Sequence, residues 1–164
     1  MTRAEMLAFV DRTLSAPPAR DHIVRPVSRG EVVARFVLPL ELCKPQNRRD
    51  GAKPGWVHAK SKGALYAAMR SQCARRATPL PGRPQVIAIR FSSVEPDRYA
   101  DWAKAAIDIL CVGRWHGQGN RLGLLRDDRP KDADVHQHWE PARQGEGFVY
   151  IEVRASVDSP LSVG

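Results

Sequence analysis

The sequence predicts an α+β fold: a small mixed β-sheet with helices packed mainly on one face. Three observations point to it. Short β-branched or alternating runs recur along the chain, as VVARFVLPL, QVIAIRFSS, VHQHW and GFVYIEVRA. Helical runs separate the first three of them, giving the order β–α–β–α–β–β behind an N-terminal helix. That order holds too few βαβ units for a doubly wound sheet.

Residues 4–14 read as a short amphipathic helix, and SAPPARDHIVRPVSRG after it reads as a linker. The compact domain is expected over residues 31–156, with 1–30 as an N-terminal extension and 157–164 as a tail. Pro39 should end the first strand. KPQNRRDGAKPG is a loop of turn formers and cations. HAKSKGALYAAMRSQCARRA is the next helix, its Ala64, Leu65, Ala68 and Met69 stepping by three and four. TPLPGRP breaks it before the second strand.

EPDRYADWAKAAIDIL then reads as a helix that starts near Pro96. Trp102, Ala105, Ala106, Ile109 and Leu110 form its apolar stripe. On such a helix Asp97, Asp101, Lys104 and Asp108 fall within about 60° of one another on the opposite side. CVGRWHGQGNRLG is a Gly-rich loop, LLRDDRPKDAD an acidic turn-like segment, and two strands close the chain.

With 164 residues and 43% hydrophobic composition, the chain suits one domain with a core. No apolar run is long enough to span a membrane, and the N-terminus has no secretory pattern. Cys43, Cys73 and Cys111 are odd in number and far apart, which gives neither a disulfide framework nor a metal knuckle and points to a reducing, cytoplasmic setting. The net charge is +8, and residues 44–76 carry nine bases (Lys44, Arg48, Arg49, Lys53, Lys60, Lys62, Arg70, Arg75, Arg76) against the single acid Asp50. That excess attracts a polyanion, of which nucleic acid is the usual one. A basic surface without a dedicated partner is the plain alternative.

Metal-assisted phosphodiester hydrolysis needs hard oxygen ligands at one point, and a nearby ammonium to take up developing phosphate charge. Two acidic blocks supply those types: Asp97, Asp101 and Asp108 with Lys104, and Asp127-Asp128 with Asp132 and Asp134 behind. Each has a structural reading too. Asp97 could cap a helix, Asp101 and Lys104 could form an ordinary i, i+3 pair, and Asp127-Asp128 could make a turn. His136 and His138 share one side of a strand and lack further zinc ligands. GQG lacks the phosphate-loop pattern. Trp56 could stack on a base or simply pack.

The order of these pieces resembles the RusA family of Holliday-junction resolvases over about residues 32–154. FVLPLELCKPQNRR is similar to the family's opening strand and Pro/Asn segment. Lys104, Asp108 and Leu110 match the end of its Asp-x-Asp-Asn-x-x-Lys-x-x-x-Asp-x-Leu helix motif, and Asp127-Asp128 matches its second acidic pair. The first half of the motif departs: Arg98 and Ala100 stand at the two aspartate positions and Asp101 at the asparagine. The loop between Asp108 and Asp128 is also longer than usual for the family.

The resemblance implies a RusA-like fold, a homodimer, and Mg²⁺-dependent (or Mn²⁺-dependent) cleavage of branched or double-stranded DNA. With a one-residue shift, Asp97, Asp101 and Asp128 would hold metal with Asp127 assisting, and Lys104 would stabilise phosphate charge. Lys44, Arg48, Arg49, Lys53, Lys60 and Lys62 would contact backbone phosphates. The alternative is a catalytically inactive RusA-like protein that binds junctions or other DNA. A basic interaction domain with no nucleic-acid role is the third class.

Overall fold

A computed structural model describes residues 1–44, 55–113 and 119–159, with 55–60 in backbone only. Along the chain run α1 (Arg3–Ser15), β1 (Val32–Pro39), a 3₁₀ turn (Leu40–Leu42), α2 (Gly55–Arg70), β2 (Gln85–Ser92), α3 (Lys104–Leu110), β3 (Asp134–Pro141) and β4 (Phe148–Arg154). The strands form one sheet in the order β1-β4-β2-β3. β4 is antiparallel to both β1 and β2, while β3 runs parallel to β2. The expected mixed sheet is therefore present, and Pro39 ends β1 as its missing donor requires.

Alternation sorts the strand residues into two cores. Phe36, Leu38, Val86, Ala88, Val149, Ile151 and Val153 face Leu65 and Met69 of α2 and Ala106, Ile109 and Leu110 of α3. Val37, Ile87, Ile89, Phe91, Phe148 and Tyr150 face α1 through Val10. Covered on both sides and flanked by two strands, β4 needs the nearly unbroken apolar run Phe148–Val153. The helices are thus divided, α2 and α3 on one face and α1 on the other.

A capping box starts α1: the Glu5 N–H donates to Thr2 Oγ1 at 3.2 Å, and the Thr2 N–H to Glu5 Oε2 at 2.6 Å. Phe9 meets Phe91 and Phe148 edge-on, at 5.4 and 6.0 Å between ring centres. Such aromatic pairs add roughly 0.5–1.5 kcal/mol each beyond burial. The segment after α1 is tied down by Arg25, whose Nε donates to the fully buried Glu140 of β3 at 2.6 Å. Its Nη1 and Nη2 cap the carbonyls of Ala16 and Thr13 at 2.6 and 3.2 Å.

Two helices are shorter than their sequences suggest. α2 ends at Arg70, and Gln72 turns to the outer edge of β1. There it accepts from the Val37 N–H and donates to the Val37 carbonyl, both at 2.9 Å. α3 starts at Lys104 rather than near Pro96. The Ala100 carbonyl, which would accept from Lys104 in a longer helix, accepts from Gln137 Nε2 of β3 at 3.1 Å. Asp97 closes a local turn, its Oδ1 accepting from the Tyr99 N–H at 3.3 Å and its carbonyl from Ala100 at 2.9 Å. Trp102 and Ala103 are buried and anchor the segment in the core. No helix among the described residues is long and apolar enough to cross a membrane.

Candidate functional site: a lysine between two aspartates

Three hydrogen bonds position the site. The Leu122 N–H donates to the Ile109 carbonyl at 2.7 Å, Leu125 N–H to Leu110 at 3.0 Å, and Val112 N–H to Leu125 at 2.8 Å. They lay the apolar run Leu122–Leu125, with Leu122, Leu124 and Leu125 buried, along the end of α3. Gly123 permits the approach: its φ is +70°, and a Cβ there would meet the Arg76 carbonyl oxygen at 3.0 Å. The acidic turn that follows then lies over the first residue of α3.

Lys104 Nζ consequently stands 2.7 Å from Asp108 Oδ1 and 2.5 Å from Asp128 Oδ2. Burial works against the ammonium, but the hydrogen bonds and charges of Asp108 and Asp128 outweigh it and hold its pKa above the ordinary lysine value. Over a third of the Lys104 side chain is exposed, so water screens both pairs and each contributes at most about 1 kcal/mol. Their consequence is placement more than stability.

Asp127 is beside them. Its Oδ1 accepts from the Asp128 N–H at 2.8 Å, and its Oδ2 meets Arg129 Nε at 2.8 Å. Arg121 Nη1 donates to the Asp108 carbonyl at the end of α3. Cys111 lies within the field of this group. Burial, reinforced by the charges of Asp128, Asp108 and Asp127, pushes its thiol up to about 12.

The structure therefore brings together Lys104, Asp108, Asp127 and Asp128. It does not place Asp97 and Asp101 on a helical face with Lys104, because the helix that would do so is absent. Asp97 is engaged in its own turn, Asp101 is exposed, and no hydrogen bond or ion pair joins either to Lys104 or Asp128. Among the described residues no three His, Cys, Asp or Glu side chains are grouped as a metal site. The donor chemistry still suits a hard divalent cation: Asp108 and Asp128 each give Lys104 one oxygen and keep a second.

Of the cations expected to contact phosphates, Lys44 and Lys62 are exposed. Arg48, Arg49 and Lys53 lie outside the described residues. Lys60 and Trp56 belong to α2, but their side chains are outside them too. His136 and His138 both sit on β3, and each faces a carboxylate, Asp134 at 3.0 Å and Glu140 at 3.3 Å. Sequence reasoning passed over Arg121 and Arg90. A lone arginine in a loop or strand carries no spacing signal that could have singled it out. The chain matches no protein-family model, no curated protein and no solved structure.

Proposed function

We propose that this protein is a RusA-like, Mg²⁺-dependent endonuclease that cleaves branched DNA. The observation that supports it best is the meeting of Lys104 and Asp108, from α3, with Asp128, from a turn eighteen residues beyond that helix. Lys104 and Asp108 match the family's helix motif in spacing, and Asp128 matches its second acidic pair across a longer loop. Asp128, with Asp127 beside it, would hold the divalent ion; Asp97 and Asp101 are left out of that set, because neither reaches Lys104 or Asp128. The ion would supply an activated water and Lewis-acid stabilisation of the phosphate. Mn²⁺ would serve in its place. Lys104, held charged, would stand beside the scissile phosphate and stabilise negative charge as it develops. Asp108 orients that ammonium. Lys44, Lys62 and the cations of residues 48–60 would grip backbone phosphates without reading sequence. A homodimer would match the two-fold symmetry of a four-way junction.

A second reading is favoured by a specific observation. Lys104 already occupies one oxygen each of Asp108 and Asp128 and offsets one of their two charges, and Asp97 is committed to a turn. That arrangement suits a protein that binds junctions without cutting them. Incubating a labelled four-way junction, linear duplex and single strand with the protein, in Mg²⁺ and in EDTA, separates the two. Symmetric junction cuts that need Mg²⁺ and vanish in Asp128→Asn support the nuclease. Junction retention without cuts supports the binder, and no salt-sensitive binding to any substrate refutes both.

A further inference from the structure

We infer that Arg90 is an anion site that receives a phosphate group beside Cys43 and Lys44. Arg90 lies in β2, between Trp139 of β3 and Val149 of β4. It is on the same face as Val86 and Ala88, beneath the turn that ends at Cys43. Its guanidinium has five N–H donors. One of them, on Nη1, reaches the Cys43 carbonyl at 3.2 Å. Nε is buried and has no partner.

The contrast with the other arginines is informative. Arg35 and Arg154, also on strands, are paired with Asp11 at 2.5 Å and with Glu152. Arg25, Arg83 and Arg129 have Glu140, Asp134 and Asp127. No carboxylate among the described residues reaches Arg90. A half-buried guanidinium with no counter-charge is costly, because burial strips its hydration and nothing offsets the charge. A water could satisfy Nε but not neutralise the cation. Cys43 does not do so either: burial pushes its thiol up to about 12, leaving it neutral at ordinary pH.

The missing element is an oxyanion, and the surroundings favour phosphate. Lys44 follows directly in the chain after Cys43, whose carbonyl Arg90 contacts, and is exposed, so a second cation is next to that contact in sequence. The planar guanidinium can offer two parallel N–H donors to a phosphate. The source of that phosphate rests on the proposed DNA-binding role; the site itself does not.

The test compares wild type with Arg90→Met and Arg90→Lys, using inorganic pyrophosphate and a labelled four-way junction over a salt series. Pyrophosphate should raise the melting temperature of the wild type but not of Arg90→Met. Junction affinity should fall about tenfold or more in Arg90→Met, since a hydrogen bond to a charged group is lost. The slope of log affinity against log salt should shrink by about one, as for one phosphate contact. Arg90→Lys should fall between, because it keeps the charge and loses the fork; it also carries the test if Arg90→Met does not fold. A pyrophosphate response that depends on Arg90 in a protein that ignores DNA would uphold the site and remove the DNA reading. Equal pyrophosphate response and equal junction binding in all three proteins, including no response in any, overturns the inference.

Discussion

Arg25→Met should be strongly damaging in the segment between α1 and β1. Glu140 is fully buried, its Oε1 held by Arg25 at 2.6 Å and faced by His138 Nε2 at 3.3 Å, while its Oε2 has no partner. Removing one member of a buried pair leaves the other charge uncompensated, at a cost of roughly 3–5 kcal/mol. The Ala16 and Thr13 carbonyls also lose their cap, but they can turn to water. A loss of about 4 kcal/mol is a large part of the roughly 5–15 kcal/mol that holds a domain together. It should lower the melting temperature by about 8–16 °C at 2–4 °C per kcal/mol. Urea unfolding should show a lower midpoint with an unchanged slope.

The pH dependence gives the sign. Burial raises the Glu140 pKa, but His138 and Arg25 more than offset this and leave it below the ordinary value. In the wild type, Glu140 therefore contributes stability above the unfolded carboxylate pKa and loses it as pH falls through the lower folded one. Without Arg25 the burial effect grows in relative weight and the pKa rises. The deficit of Arg25→Met should then shrink between pH 7 and pH 5 as the carboxyl takes up a proton, and adding Glu140→Gln should recover part of it. A deficit under about 1 kcal/mol, or one that grows toward pH 5, would refute this account of the pair.

Gly30→Ala should destabilise by about 3 kcal/mol or more, because φ is +82° there and a Cβ would lie 1.9 Å from the Ala155 carbonyl oxygen; equilibrium unfolding measures it. A thiol reagent at pH 8 should modify Cys73 first in the native protein. Cys43 and Cys111 are buried thiols pushed up to about 12 and should react only on unfolding. Mass mapping of the labelled peptides reads the order, and early labelling of Cys111 would contradict its burial.

The strands were legible because each depends on its own residues: β2 and β4 are apolar runs buried on two faces, and the edge strand β3 shows through its alternation. α1 was legible for the same reason, through its amphipathic spacing. What the sequence did not disclose is set by contacts across the fold. The apolar stripe from Trp102 to Leu110 is compatible with a helix starting near Pro96, and nothing local forbids it. In the fold, Gln137, more than thirty residues later, donates to the Ala100 carbonyl, and only Lys104–Leu110 is helical. Gln72 likewise leaves the α2 pattern to close the edge of β1.

The candidate site divides along the same line. Lys104 and Asp108 meet through i, i+4 spacing inside one short helix, so periodicity alone could pair them. Asp128 joins them only because Leu122 and Leu125 hydrogen-bond to the end of α3, which no spacing rule encodes. Asp97 and Asp101 were assigned by extending a helix about two turns too far, and those turns are what separate a set of ligands on one face from acids on a surface segment. Arg90 is the converse case. Its residue type in an apolar strand reads as ordinary, and only its unpartnered Nε, with no carboxylate beside it among the described residues, marks it as the proposed place for an anion.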